Sequence, residues 1–179
     1  MITQNDEYQK MIKQRLDENT KSFNILFELK NYCNCISIMC QELDQYIRLL
    51  YLVKQPAAIR DVFINNSIND KKWYSIGDDN KKAYITDKDI NEFAKILTGW
   101  EAEVFEFRKV FKNLSLNINY MLRDPIKGLD DFERSVIYEY VKKYHDPEFS
   151  YKYTIKELIP ELPLIFGKIS DSIHEYFIV

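Results

Sequence analysis

Residues that interrupt helices are scarce in this chain: only 4 glycines and 5 prolines occur among 179 residues. Such a composition favours long helices over a sheet-rich fold with many tight turns. Common catalytic motifs are missing as well, namely a glycine-rich phosphate loop, a His-Glu-x-x-His helix, a Cys-x-x-Cys pair and a Gly-x-Ser-x-Gly elbow. No apolar run is long enough to span a bilayer and no signal peptide opens the chain, so we expect a cytoplasmic protein without a membrane partner.

Two long stretches carry apolar residues at alternating steps of three and four, the spacing of one face of an α-helix. In residues 23–54 these positions are Leu26, Leu29, Cys33, Ile36, Cys40, Leu43, Ile47 and Leu50. In residues 86–122 they are Ile90, Phe93, Leu97, Trp100, Val104, Phe107, Phe111, Leu114, Ile118 and Met121. Two such stripes bury each other most simply side by side. The sequence therefore predicts an all-α helical bundle built on two long antiparallel helices.

A small excursion is expected between these two helices. Pro56 ends the first one, since a proline nitrogen cannot donate a hydrogen bond and the residue before proline avoids the α region. In residues 71–86 aromatic and β-branched runs flank the turn sequence Gly-Asp-Asp-Asn. This pattern predicts a hairpin-like excursion that lies on the bundle. Asp78 and Asp79 are candidate cation ligands, although turn chemistry also accounts for them.

Shorter helices fill the remainder of the chain, and capping boxes mark several of their starts. The pattern occurs at Thr86 with Asp89, where it opens the second long helix, at Asp130 with Glu133, and at Thr154 with Glu157, where it starts a short turn. We expect helices over about residues 130–145 and 162–176, and a polar first helix over residues 1–22 that joins the long one. Their predicted inward side chains are Phe132, Val136, Tyr140, Tyr144, Ile165, Ile169 and Ile173. A chain of this length fits one domain, residues 1–179.

Metal-binding side chains are few: the chain has 3 cysteines and 2 histidines. Cys33 and Cys40 are seven residues apart, so we expect both to be buried free thiols on one helix face, with Cys35 on the other side. His145 ends a predicted helix, where a cationic side chain is favourable through the helix dipole. His174 has no neighbours that complete a catalytic triad. We therefore expect no metal and no cofactor.

The charge balance excludes a strongly basic nucleic-acid-binding protein. The net charge is −3 and the sequence pI is about 5.5, so no global basic field attracts an anionic polymer. Local basic pairs are expected on solvated faces, at Lys71-Lys72, Lys81-Lys82, Lys109 with Lys112 and Lys142-Lys143.

Residues 106–115, Glu-Phe-Arg-Lys-Val-Phe-Lys-Asn-Leu-Ser, place several cations on one helix. Together with Tyr120, Asp124-Pro125 and Tyr144-His145, this stretch resembles the HEPN domains (higher eukaryotes and prokaryotes nucleotide-binding) of an uncharacterised bacterial branch. In that family an arginine is followed four to six residues later by a histidine, late in a bundle with two long antiparallel helices. Arg108 matches the arginine, and Asn113 stands where the histidine would be.

The resemblance implies a small helical protein, often a homodimer, of a family that includes metal-independent ribonucleases, and a setting in bacterial defence or toxin–antitoxin biology. The departure at Asn113 changes the expected chemistry, because an amide does not titrate near neutral pH and cannot act as general acid or base. Arg108, Lys112, Asn113 and Ser115 are thus a candidate phosphate-binding or vestigial active site. We expect binding of RNA, a nucleotide or a protein partner without cleavage.

Other interpretations remain open at this point. Arg108 could instead form an exposed ion pair with Glu101 or with an acid on a neighbouring helix. Residues five apart on a helix also point about 140° from each other. Arg108 and Asn113 would then converge only through a helix distortion or a dimer partner. The chain could also be a helical protein–protein interaction module, or a divergent metal-independent ribonuclease that uses Asn113, Ser115 or His145 differently.

Overall fold

The computed structural model describes residues 3–76, 81–115 and 123–177, and α-helices make up most of this part of the chain. The helices are α1 (Gln4–Glu28), α2 (Tyr32–Val53), α3 (Ala57–Ile68), α4 (Asp87–Ala94), α5 (Gly99–Ser115), α6 (Asp131–Tyr144), α7 (Ile155–Leu158) and α8 (Leu162–Phe177). The strands β1 (Tyr74–Ile76) and β2 (Lys82–Tyr84) pair antiparallel, with Tyr74 opposite Tyr84. The predicted all-α bundle with one small hairpin is confirmed.

Capping boxes begin four of these helices, at Thr3 with Asp6, Thr86 with Asp89, Asp130 with Glu133 and Thr154 with Glu157. In each, the first side chain accepts a hydrogen bond from an early helical amide, and the acid accepts one from the cap residue's own amide. Two amides that the helix leaves without a partner are satisfied in this way. The three helix starts predicted from this pattern are confirmed.

The predicted continuous helix over residues 23–54 is wrong, because the chain turns between α1 and α2. Lys30 adopts a left-handed backbone with φ of 58°, and the Asn31 amide donates to the Leu26 carbonyl at 2.8 Å. After this turn α2 runs back along α1, so that the Cys35 thiol lies 3.8 Å from the Phe23 carbonyl oxygen. Leu29, which the stripe placed inward, is 71% exposed at the turn.

The second predicted long helix is divided as well. α4 ends at Ala94, and α5 begins at Gly99, whose φ of 59° is a conformation that glycine adopts without strain. The bend that the sequence associated with Gly99 is therefore a break between two helices. The predicted end of this helix, near residue 122, lies outside the described residues.

The helices α2 and α5 are the antiparallel pair at the centre of the bundle. Lys54 near the end of α2 lies 4.0 Å from Glu101 near the start of α5, whereas Asp44 pairs with Arg108 further along. Later residues of α2 thus contact earlier residues of α5, so the two helices run antiparallel. The central side chains of both stripes are buried, among them Leu43, Ile47, Phe107 and Phe111. The antiparallel packing of the two stripes is confirmed.

The predicted burial of the cysteines is wrong, because Cys35 is fully buried whereas Cys33 and Cys40 are only half-buried. None of the three is in a disulfide, in agreement with the expected thiols. α2 packs against α5 on one side and against α1 and α8 on others, so its buried surface is much wider than one stripe. Cys35 lies on the side that α1 covers.

Most of the predicted inward side chains of the later helices are buried. Ile165, Ile169, Ile173 and Tyr140 are almost inaccessible, and Val136 and Tyr144 are half-buried. Phe132 is the exception, with 63% exposure. It stands in the first turn of α6, at the edge of the α5–α6 contact, where no described element covers it.

The hairpin is fastened to the bundle through Trp73. Its indole Nε1 donates to Ser67 Oγ at 2.8 Å, and its ring stacks on Phe63 with 4.9 Å between centroids. Asp78 and Asp79 lie outside the described residues. Among the helices of the described ranges, none has both the length and the apolar character needed to cross a bilayer.

Candidate functional site

Arg108 lies in the middle of α5 with a side chain that is only 14% exposed. Its Nε donates to the Asp44 carboxylate on α2, and its Nη1 donates to Asn91 Oδ1 on α4 at 3.2 Å. The ion pair with an acid on a neighbouring helix, one of the two sequence alternatives, is therefore present, but the expected exposure of Arg108 is wrong. Asp44 and Asn91 also fix the orientation of the guanidinium group.

A recess of about 370 Å³ opens beside Arg108, between α4 and α5. Its walls include four cations: Lys95, Arg108, Lys109 and Lys112. Lys95 pairs with Glu92 at 2.8 Å and Lys109 pairs with Glu106 at 2.7 Å. Lys112 is exposed and pairs with no carboxylate in the described part of the chain. We refer to this feature as the Arg108 recess.

Asn113 also lines the Arg108 recess, but its polar group turns to a different neighbour. Its Nδ2 donates to Glu133 Oε1 on α6 at 2.6 Å, whereas Arg108 is bound by residues of α2 and α4. Side chains five positions apart on an α-helix point about 140° from each other, which accounts for this divergence. The two side chains thus border the same recess without converging on one point.

Ser115 does not join the recess. Its hydroxyl donates to the Lys112 carbonyl of its own helix at 2.7 Å, and it lies near the Cys40 thiol. Burial, only partly offset by Ser115, raises the pKa of Cys40 to about 11. Of the four predicted site residues, Arg108, Lys112 and Asn113 line the recess together, and Ser115 does not line it.

Proton transfer has little support around this recess. The one carboxylate among its described wall residues is Asp87, which pairs with Arg48 at 2.9 Å. No histidine is among these wall residues, and no group of three or more potential metal ligands occurs in residues 3–76, 81–115 and 123–177. The described wall can hold an anion, but it carries no group suited to acid–base catalysis near neutral pH.

His145 is the cap residue at the end of α6, as predicted, but the reasoning about its charge is wrong. Burial, followed by the nearby Lys168 ammonium, lowers the pKa of His145 below its usual value. This shift favours the neutral imidazole, contrary to the charge that the helix-dipole argument expected. The ring packs 5.5 Å from the Tyr140 ring, and its Nε2 is buried with no hydrogen bond to a described residue.

Sequence reasoning missed a larger recess of about 810 Å³ beneath the hairpin. Its cations are Arg15, Arg48, Lys71 and Lys72, its acids are Asp70 and Asp87, and its aromatic residues are Tyr8, Trp73 and Tyr84. We call it the hairpin recess. The signal in the sequence was the basic pair directly before Trp73, interpreted above as a solvated face. Only folding brings that pair next to Arg15 on α1.

An apolar groove of about 500 Å³ lies between α5 and α6, next to the exposed Phe132. Val136, Ala102 and Tyr140 also line it, and its rim carries the acids Glu103, Glu106 and Glu139. Lys143 donates to Glu103 at 2.6 Å across this rim. The groove is the part of the described surface that best fits the alternative of a protein interaction module.

In comparisons with protein-family models, with curated proteins and with solved structures, nothing matches this chain.

Proposed function

We propose that this chain is a HEPN-like helical protein of the cytoplasm that binds RNA through backbone phosphates at the Arg108 recess and does not cleave it. With this function we propose a setting in bacterial defence or toxin–antitoxin biology. The observation that carries the proposal is the set of four cations around one recess, with Lys112 free of a carboxylate partner among the described residues. Cations spread over two helices suit a chain of phosphates better than a single anion.

The orientation of Arg108 supports a binding role. Asp44 and Asn91 occupy its Nε and Nη1, while Nη2 donates to no described residue. A guanidinium held in this way presents a fixed donor edge, and little conformational entropy is lost when a phosphate binds to it. The negative charge of Asp44 weakens the attraction at the same time, so we expect modest affinity that falls steeply with salt.

The absence of cleavage follows from Asn113 and from the other described wall residues. An amide neither takes nor gives a proton near neutral pH, and Asp87 is engaged by Arg48. A bound ribose 2′-hydroxyl would find no described group placed to remove its proton. Binding without turnover is the chemistry that these side chains support.

Anisotropy titrations of a short labelled single-stranded RNA in EDTA test this proposal. The variant Lys109→Ala/Lys112→Ala should bind about tenfold more weakly than the unchanged protein, and its salt slope should be smaller by about 0.7 per lysine. The matched control is Lys152→Ala/Lys156→Ala, because both lysines are exposed and line neither recess. Equal affinities for the two double variants, or no RNA binding by the unchanged protein, would contradict the proposal.

The second candidate function is a helical interaction module, and the exposure of Phe132 beside the apolar groove favours it. A second copy of the chain is the partner that purified protein can test. Sedimentation velocity should then show a dimer that Phe132→Asp dissociates, whereas an exposed Leu164→Asp on α8 should leave it intact. A monomer at all concentrations would exclude a second copy of this chain as the partner of the groove.

A further inference from the structure

The hairpin recess has the dimensions and lining of a small-ligand site. Its volume of about 810 Å³ falls within the range of roughly 300–1,000 Å³ that such sites occupy. Ile12, Ile85 and Ile90 contribute apolar surface, while the cations stand on α1, α2 and the segment before β1. An apolar lining bordered by positive charge suits a ligand with a flat hydrophobic part and an anionic part.

The cations of this recess are less neutralised than those beside Arg108. Arg15, Lys71 and Lys72 are exposed and form no ion pair with the described residues, whereas Arg48 is paired with Asp87. Four cations and the two acids Asp70 and Asp87 leave an excess of positive charge in the wall. An anion entering here gains attraction without first displacing a carboxylate from these three cations.

The two lysines stand on a fixed backbone. Asp70 adopts a left-handed φ of 54°, and the Lys71 amide donates to the Asn66 carbonyl at 2.8 Å. The Asn66 side chain, only 4% exposed, donates in turn to the Lys72 carbonyl at 3.4 Å. The positions from which both ammonium groups extend are therefore set before any ligand arrives, which lowers the entropic cost of binding.

Two aromatic rings supply flat surfaces beside these cations. Trp73 is half-buried and held by Ser67 and Phe63, so its ring orientation is fixed. Tyr84 on β2 is 58% exposed although it lines the recess. Stacking of a nucleobase on aromatic rings contributes to binding of single nucleotides irrespective of base identity.

We propose that the hairpin recess binds a nucleotide unit, with the base against Trp73 and Tyr84 and the phosphate between Arg15, Lys71 and Lys72. The site differs from the Arg108 recess, so the inference goes beyond the proposed function and shares only its class of ligand. Asp87 lines both recesses. The nucleotide unit is either a free nucleotide or one residue of an RNA strand, and the experiment separates these sources.

Fluorescence of Trp73 provides the readout, because the chain has only two tryptophans. In a Trp100→Phe background, ADP should change the Trp73 emission saturably, and adenosine or inorganic phosphate alone should bind at least tenfold more weakly. Isothermal calorimetry gives the same affinities independently of optical absorption by adenine. If a short RNA binds at least tenfold more tightly than ADP and displaces it, the ligand of the recess is one residue of an RNA strand. If it does not, the ligand is a free nucleotide.

Four variants in this background decide the location of the site. Lys71→Ala/Lys72→Ala should weaken ADP binding at least tenfold, as should Arg15→Gln on a separate element, while Lys152→Ala/Lys156→Ala should have no effect. Circular dichroism confirms that each variant is folded. No binding of ADP, or equal binding to all variants, overturns the inference. If Lys109→Ala/Lys112→Ala alone abolishes ADP binding, the nucleotide occupies the Arg108 recess, and the inference fails while the proposed function survives.

Discussion

Asn113 on α5 donates through its Nδ2 to Glu133 Oε1 on α6 at 2.6 Å, and Glu133 Oε2 accepts from the Asp130 amide at 3.0 Å. One carboxylate thus closes the capping box of α6 and ties that helix to α5. Asn113 stands where the resemblance to HEPN domains calls for a histidine. At this position the chain has a structural contact in place of a titrating group.

A ribonuclease assay tests whether the protein, with Asn113 in place of a histidine, cleaves RNA. In EDTA the unchanged protein should cleave a mixed RNA no faster than a blank, because an amide cannot transfer protons near neutrality. Asn113→His introduces an imidazole with a reference pKa of about 6.5. It should give low activity at most, because Asp44 of α2 holds Arg108 on a different side of α5 from position 113. Arg108→Ala is the control. Strong cleavage by the unchanged protein that persists in Arg108→Ala would disprove both the motif assignment and the non-cleaving function.

The Arg108–Asp44 ion pair predicts a gain of affinity. Asp44→Asn keeps an oxygen that can accept from Arg108 but removes the charge that competes with a phosphate, so RNA should bind severalfold more tightly in low salt. Asp171→Asn makes the same change in net charge at an exposed position that lines neither recess. Equal gains in the two variants would mean that overall charge, and not the Arg108 recess, determines the affinity.

The two central stripes predict large losses of stability. Leu43→Ala and Phe107→Ala should each lower the free energy of unfolding by about 2–5 kcal/mol, because both side chains are fully buried and leave cavities. Phe132→Ala, at 63% exposure, should change it by less than about 1 kcal/mol. Urea unfolding followed by circular dichroism measures all three. Losses of similar size for Phe107 and Phe132 would contradict the burial described for α5 and α6.

Thiol labelling should follow the burial in the structure and not the sequence stripe. Burial raises the pKa of the Cys35 thiol and that of the Cys40 thiol to about 11, so little of either is the reactive thiolate at mildly alkaline pH. In single-cysteine variants Cys33 should react fastest with a thiol reagent and Cys35 slowest. All three should react alike in denaturant. Rapid labelling of native Cys35 would show that α1 does not cover that side of α2.

The neutral state of His145 predicts a stability that declines in mild acid. Its folded pKa lies below the unfolded value of 6.5 because of burial and Lys168. The unfolded chain therefore binds the proton first as the pH falls. The stability that His145 contributes is complete above the unfolded pKa and is lost as the pH falls towards the folded one.

The comparison with His145→Gln isolates this contribution, since the other titrating groups act in both proteins. Between about pH 7.5 and about pH 5.5 the unchanged protein should lose stability relative to the variant, by at most about 1.4 kcal/mol per pH unit. Denaturant unfolding at several pH values measures the difference. A difference that stays constant with pH would show that the His145 imidazole is as well solvated in the folded state as in the unfolded one.

The helix starts were predictable because their signals are local. Thr86 with Asp89 and Asp130 with Glu133 satisfy amides within a few residues of one another, so the sequence alone reveals them. The turn at Lys30 was not predictable in this way. It contains neither glycine nor proline, and the apolar spacing of Leu26, Leu29 and Cys33 continues through it.

The surroundings of the candidate site could not be predicted from the local sequence, for a similar reason. The spacing of Arg108 and Asn113 correctly implied that their side chains diverge. It could not indicate which acid neutralises Arg108, because Asp44 is 64 residues away and reaches it only through the packing of α2 on α5. The hairpin recess likewise exists only once Arg15 and Lys71 meet on the folded surface.

The four capping boxes have a consequence for rearranging the chain. Each encodes a helix boundary in four consecutive residues, such as Thr86 to Asp89 or Thr154 to Glu157. A segment excised at such a point carries its own start signal, whatever precedes it in the new context. Circular permutants with new chain ends just before Thr86 or Asp130 should therefore still begin α4 and α6 at the same residues.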